Sequence, residues 1–225
     1  IADYFSNKYK IRPSVSKENA DYRFNLRIYK EQCTISLDSS GESLHKRGYK
    51  VKNVHAPLNE VLAAGMIMLT EWSPEIPFID PMCGSGTLPV EAGLMALGIP
   101  PGAFRKEFGF TKWQNYDKEL HYSLLNTKEN KENTHKVDIL GMDIDENAIK
   151  TSQVNAESAG LSKIIRFETK PFEEFTPQNI DQGLVIMNPP YDVKMKKENI
   201  NDFYKNIGDA LKNNFDGFDV WIFSG

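Results

Sequence analysis

Cysteine is scarce. Cys33 and Cys83 are the only two in 225 residues, they form no CxxC, and no histidine cluster stands beside either. A structural metal site is therefore disfavoured, and two thiols suit a reducing cytoplasm. Long apolar runs are also lacking: none approaches the roughly 20 residues that a membrane-spanning helix needs. No secretory leader is visible, so no membrane is expected as a partner. Positive charge is not in excess, since the net charge is −4, which does not advertise nucleic acid. An initiator methionine is missing too. With Ile1 in first place, the chain reads as a fragment of a longer protein.

What is present suffices for one full domain plus a smaller piece. The charge is uneven: residues 1–60 hold 11 Lys and Arg against 7 Asp and Glu, whereas the remainder holds 16 against 24. A basic first quarter on an acidic body fits a phosphate-facing module joined to a domain for a cationic ligand. Residues 1–10 read as the end of an amphipathic helix. Phe24, Leu26 and Ile28, then Cys33, Ile35 and Leu37, alternate as two neighbouring strands. In Leu44-His45-Lys46-Arg47-Gly48-Tyr49-Lys50, Lys46, Arg47 and Lys50 surround Tyr49, a grouping that could grip an RNA backbone and stack a base, or simply form a connector. A helix is expected over 58–72, with Leu58, Val61, Leu62, Ile67 and Leu69 on its apolar face.

Strands and helices then alternate. Strands are expected at 78–80, 138–142, 164–167, 184–187 and 219–223, with helices at 87–97, 145–159 and 201–213 and a loop-rich insertion over 98–136. This pattern predicts an α/β fold with a mostly parallel sheet covered on both faces. The last strand is too apolar for a sheet edge, so further strands are expected beyond it.

Three motifs fall at strand ends, where open parallel sheets bind ligands. Asp80-Pro81-Met82-Cys83-Gly84-Ser85-Gly86-Thr87 joins the first strand to a helix. Gly84 and Gly86 would let a ligand approach the backbone, and Cys83 reads as a small side chain packed under the loop. Asp143, in Gly141-Met142-Asp143-Ile144-Asp145, is placed to accept ribose hydroxyls, with Asp145 as a competing acid or a helix cap. A nicotinamide dehydrogenase is disfavoured, because Pro89 replaces the third glycine of G-x-G-x-x-G and the acid stands too far away. In Asn188-Pro189-Pro190-Tyr191, an amide oxygen and the Pro189 carbonyl can both accept hydrogens from a planar exocyclic amine. Tyr191 would stack the base that carries the amine.

These three motifs resemble those of class I S-adenosylmethionine-dependent amino-methyltransferases. Ser40-Gly41-Glu42-Ser43-Leu44-His45-Lys46-Arg47-Gly48-Tyr49, Ala56-Pro57-Leu58-Asn59-Glu60 and Pro101-Gly102-Ala103-Phe104-Arg105 narrow the resemblance. They are similar to the THUMP-associated guanine-N2 methyltransferases of bacterial 23S ribosomal RNA. The resemblance implies a Rossmann-like sheet lacking its final strands here, preceded by the tail of an α+β THUMP-type RNA-binding region. Residues 1–55 would be that region and its connector, and 56–225 the methyltransferase domain. It further implies methyl transfer from S-adenosylmethionine, without metal, to guanine N2 in large-subunit ribosomal RNA in the cytoplasm. Nearer rivals are a transfer-RNA guanine or DNA adenine enzyme; from another class comes a silent RNA-binding module that keeps the fold. The implied cofactor set is Asp80, Pro81, Cys83, Gly84, Gly86, Thr87, Asp143, Ile144, Phe172 and Asn188. Asn188, Pro189 and Tyr191 would handle the amine and base. Two departures stand out. Lys170-Pro171-Phe172 replaces an acid expected to bind the adenine amine, leaving Phe172 to pack on the ring. Asp192-Val193-Lys194 replaces the glycine and basic residue expected after the tyrosine.

Overall fold

Short apolar stretches, too brief for helices, become the middle of a parallel sheet. The computed structural model describes residues 2–16, 20–52, 57–126, 137–178, 180–190 and 197–224, the side chains of 126 and 197–199 excepted. In chain order the elements begin with α1 (Ala2–Tyr9), β1 (Arg23–Tyr29), β2 (Gln32–Asp38), α2 (Glu60–Leu69), β3 (Phe78–Asp80), α3 (Thr87–Ala96) and α4 (Lys118–Asn126). They continue with β4 (Ile139–Asp143), α5 (Glu146–Ser158), β5 (Ile165–Thr169), β6 (Gly183–Met187), α6 (Lys197–Asn214) and β7 (Phe218–Ile222). The expected strands and their helices are all present. Helix α4 was not expected; Asp117 opens it by accepting from the Leu120 amide at 2.9 Å.

The chain divides into two units, one of Ile1–Ser43 with Lys106–Tyr122, the other of Leu44–Arg105 with Ser123–Gly225. Two boundaries therefore differ from expectation. Residues 44–52 belong with the sheet, not with the N-terminal module, and part of the insertion belongs with that module. In the first unit β1 and β2 pair antiparallel, Phe24 opposite Leu37 and Leu26 opposite Ile35. The Phe110 amide donates to the Ser39 carbonyl at 3.0 Å, which ties the inserted segment to the end of β2.

In the second unit five parallel strands lie in the order β5-β4-β3-β6-β7. The chain moves outward from β3 to β5, then returns to the other side of β3 for β6. The sheet therefore has its switch point beside β3. Helix α3 is buried almost all round, with Val90 and Ala92 fully inaccessible. Helix α2 packs through Ala63, Ala64 and Ile67, while Val61, Leu62 and Leu69 stay exposed. This corrects the expected face in part: Ile67 is buried as expected, but Ala63 and Ala64 permit the close helix approach and Val61, Leu62 and Leu69 are left outside.

The grouping around Tyr49 is also corrected. Lys46 is exposed, but Tyr49 is 0% and Arg47 8% exposed. The Tyr49 hydroxyl donates to Glu91 Oε1 at 3.0 Å, and Arg47 pairs with Glu91 Oε2 at 3.3 Å. Lys50 pairs with Glu60 at 2.7 Å. Burial pushes the Glu91 carboxyl up, with Arg47 and Tyr49 pulling it back down, and Tyr49 is raised by burial and by the Glu91 charge. Three of the four residues expected to hold RNA thus neutralise acids inside the fold, because a buried carboxylate requires partners. Pro101 to Arg105 docks on the same segment. Arg105 donates to the Lys46 carbonyl at 3.1 Å, and Phe104 meets Tyr49 edge-on at 6.2 Å. Tyr49→Phe removes one donor from a buried carboxylate and is expected to cost about 1–3 kcal/mol of stability. Urea unfolding measures this; an unchanged midpoint would mean that the hydroxyl contributes nothing inside.

Candidate active site

Strand β3 ends at Asp80, only 1% exposed. The chain must then leave the sheet and start α3 within a few residues, and backbone hydrogen bonds hold the turn. The Met82 amide donates to Asp80 Oδ1 at 3.2 Å, Cys83 N to the Met142 carbonyl at 2.7 Å, and Gly86 N to the Cys83 carbonyl at 2.8 Å. Gly84 N donates to Asp143 Oδ2 at 2.9 Å. Gly86 sits at φ +79°, and a Cβ there would lie 2.8 Å from that of Ser152. Conformation and space both require glycine. Gly86 is also the cap residue of α3 and, being glycine, has no side chain to accept from the first amides of the helix.

Asp143 ends β4. Its second oxygen accepts the Asp145 amide at 2.9 Å, so each carboxylate oxygen carries one backbone donor and keeps capacity for another. Asp145 is a helix cap, accepting from Asn147 N at 2.9 Å, which favours Asp143 over Asp145 for ribose. Ile144 beside it is 74% exposed, an unusual setting for a large apolar side chain at a strand end. Asn188, Pro189 and Pro190 follow β6.

These strand ends surround one cavity of about 600 Å³. Its wall includes Asp80, Pro81, Cys83, Gly84, Thr87 and Asp143, with Ile144, Phe172, Asn188 and Pro189 completing the expected set. Gly86 lies in the turn without lining the cavity. Tyr191 and Asp192-Val193-Lys194 lie outside the described residues. Phe172 contributes to the wall but is 3% exposed and stacks on Phe215 at 5.4 Å, so most of its ring belongs to the core. Burial raises the Cys83 thiol well above its ordinary range, with Asp80 and Asp143 adding to the effect. It stays protonated and unsuited to nucleophilic attack.

Two wall residues escaped the sequence reading. Glu173 lines the cavity just after Phe172, beyond the position where an acid was sought. Phe203 reaches it from α6, and no motif marks that residue.

A parallel sheet in this order, with an acid-lined cavity at its switch point, defines a doubly wound, Rossmann-like fold. The chain belongs to the family described as RMKL-like, methyltransferase domain, which matches residues 47–225, while a THUMP domain matches residues 1–38. Slr0064 of Synechocystis, named as a candidate RNA methyltransferase, is 39% identical over 100% of this chain and 59% of its own length. The ribosomal RNA large subunit methyltransferase K/L of Psychromonas ingrahamii is 37% identical over 100% of this chain and 31% of its own. The chain thus spans about three-fifths of one relative and a third of the other. The solved structure of SMU.472, complexed with SAH, superposes with a TM-score of 0.80 at 29% identity, covering 89% of this chain and 52% of that one.

Asp80 gives the site a pH signature. Burial holds its carboxyl well above the ordinary 3.8, and the neighbouring Asp143 charge adds to this against the Met82 amide. Between those two values the folded chain binds more protons than the unfolded one, so stability falls as pH rises through that window. Asp80→Asn cannot ionise and should lose this decline. Urea midpoints of parent and variant, followed from about pH 4 to 8, should shift in the variant's favour as pH rises. A constant difference would show that Asp80 titrates normally.

Proposed function

We propose that the cavity binds S-adenosylmethionine and that the protein methylates the exocyclic N2 of a guanine in large-subunit ribosomal RNA, in the cytoplasm. The observation that carries this reading is the convergence of Asp80, Asp143 and Asn188, from three different strands, on one cavity. The residues fit the cofactor's chemistry. A buried acid at Asp80 suits its cationic methionine end, Asp143 retains acceptors for two ribose hydroxyls, and exposed Ile144 suits an adenine face. S-adenosylmethionine supplies a methyl group on a cationic sulfur, already activated toward an amine, so the protein's work is alignment.

Asn188 and the Pro189 carbonyl orient the amine, and Tyr191 stacks the base. Residues 1–38 support RNA as the partner. Lys8 lies over Tyr4 and Tyr9, and Arg27 and Lys30 over Tyr29, all on an exposed surface. With Arg47 and Tyr49 buried and Lys50 tied to Glu60, RNA affinity is assigned to that unit. The name of the K/L relative favours RNA over a DNA adenine.

If Asn188 accepts a hydrogen from the attacking amine, its bond strengthens as charge develops, so its effect belongs to the transition state. Asn188→Ala should slow single-turnover methylation of unmodified ribosomal RNA about a hundredfold, with S-adenosylhomocysteine affinity within a few-fold of the parent. A parental rate would reject the amine-orienting role, and mapping the methylated nucleotide tests the guanine.

Glu173 is assigned the adenine amine in place of the acid missing at Lys170-Pro171-Phe172. Glu173→Ala should weaken S-adenosylhomocysteine about ten- to a hundredfold in calorimetry, as expected for one hydrogen bond to a charged acceptor. Unchanged affinity would remove Glu173 from the pocket's function.

A further inference from the structure

Asn155 lies on α5, 0% exposed, and does not line the cavity. Its side chain makes four hydrogen bonds. Oδ1 accepts the Val51 and Lys52 amides at 3.0 and 3.1 Å. Nδ2 donates to the Lys52 carbonyl at 2.9 Å and to the Ser85 carbonyl at 3.0 Å. The amide orientation is unambiguous, since exchanging O and N would set donors against donors and acceptors against acceptors. Toward Lys52 the side chain behaves like a neighbouring strand, meeting both the N–H and the C=O. Toward Ser85 it holds the same glycine turn that Asp143 holds at Gly84.

The preceding residue braces the same turn. Lys50 Nζ, on a side chain 11% exposed, pairs with Glu60 and also reaches Thr87 Oγ1 at 3.1 Å and the Leu58 carbonyl at 3.4 Å. Its three N–H groups thus have three acceptors. Thr87 and Leu58 both line the cavity, and Arg47 and Tyr49 fasten the strap's earlier end to Glu91.

We propose that residues 47–52 form a strap that pre-shapes the cofactor turn, with Asn155 as the positioning residue that joins the two. The inference rests on the reading of the cavity as a S-adenosylmethionine site. Asn155 touches both strap and turn with the same amide group. Ordering one therefore orders the other, and a ligand that fixes the turn must also steady the strap, by reciprocity of coupling.

Two substitutions separate the contacts. Asn155→Ala loses all four bonds. Asn155→Asp keeps an acceptor for the Val51 and Lys52 amides but has no N–H for the Ser85 and Lys52 carbonyls. The measurements are calorimetry with S-adenosylhomocysteine and amide hydrogen exchange, on the full chain. In the parent, saturating S-adenosylhomocysteine should slow exchange at Val51 and Lys52, which do not line the pocket. Asn155→Asp should bind about tenfold more weakly, the scale of one buried hydrogen bond, while these two amides keep most of their ligand-free protection. General destabilisation would lose protection at both places together.

Parental affinity in Asn155→Asp, or strap exchange indifferent to ligand in a parent that binds, overturns the inference and leaves the cofactor reading intact. A parent that binds no S-adenosylhomocysteine overturns both. The parental exchange experiment needs no variant, so it decides the matter even if Asn155→Ala does not fold.

Discussion

The tie between Gly84 and Asp143 is the constraint on which the site depends. A strand that stops to form a turn leaves backbone amides without ladder partners, and buried amides must find acceptors. Here Cys83 takes the last carbonyl but one of β4, and Gly84 takes the carboxylate at that strand's end. The acid of the second motif therefore closes the loop of the first. Asp143 has two jobs, one toward the ligand and one toward the loop, and removing its side chain would disturb both. The same economy places the acceptor proposed for ribose at a fixed distance from the glycine turn.

A second requirement arises from α3, which carries Glu91 into a surface with almost no water. An uncompensated carboxylate there would be costly. Arg47 and Tyr49 compensate it from a segment more than forty residues earlier. Once that segment enters the fold, Lys50 is carried to Glu60 and Thr87, and residues 51–52 to Asn155. One buried charge thus organises a belt of polar contacts around the N-terminal turn of the helix that begins at the cofactor loop.

The sheet was legible because its strands are short and mostly apolar, and three of them, β3, β4 and β6, end at or just before an acid or asparagine. The cavity was legible because three motifs end strands that topology brings to one edge. Side-chain partners were not. Arg47, Tyr49 and Lys50 have the composition of an RNA grip, and only the distant acids Glu91 and Glu60 reveal their structural use. The face of α2 was read only in part, because large apolar residues attract attention, whereas Ala63 and Ala64 join Ile67 in the contact. Helix α4 was missed because Leu120 and Leu124 are 56% and 60% exposed and set up no buried stripe. Asn155 and Phe203 carry no local signal, since their importance lies in partners remote along the chain.

Gly48 shows how structural need can imitate function. It sits at φ +102°, and a Cβ there would come within 2.3 Å of the Phe104 carbonyl oxygen. Every other amino acid is excluded twice, by backbone conformation and by space. In a survey of tolerated substitutions this position would be as silent as one that touches substrate. Yet Gly48 is absent from the cavity wall. Intolerance at this glycine reports how tightly two loops are pressed together, and a map of mutational sensitivity must be divided by such contacts before it can be used to outline a catalytic surface.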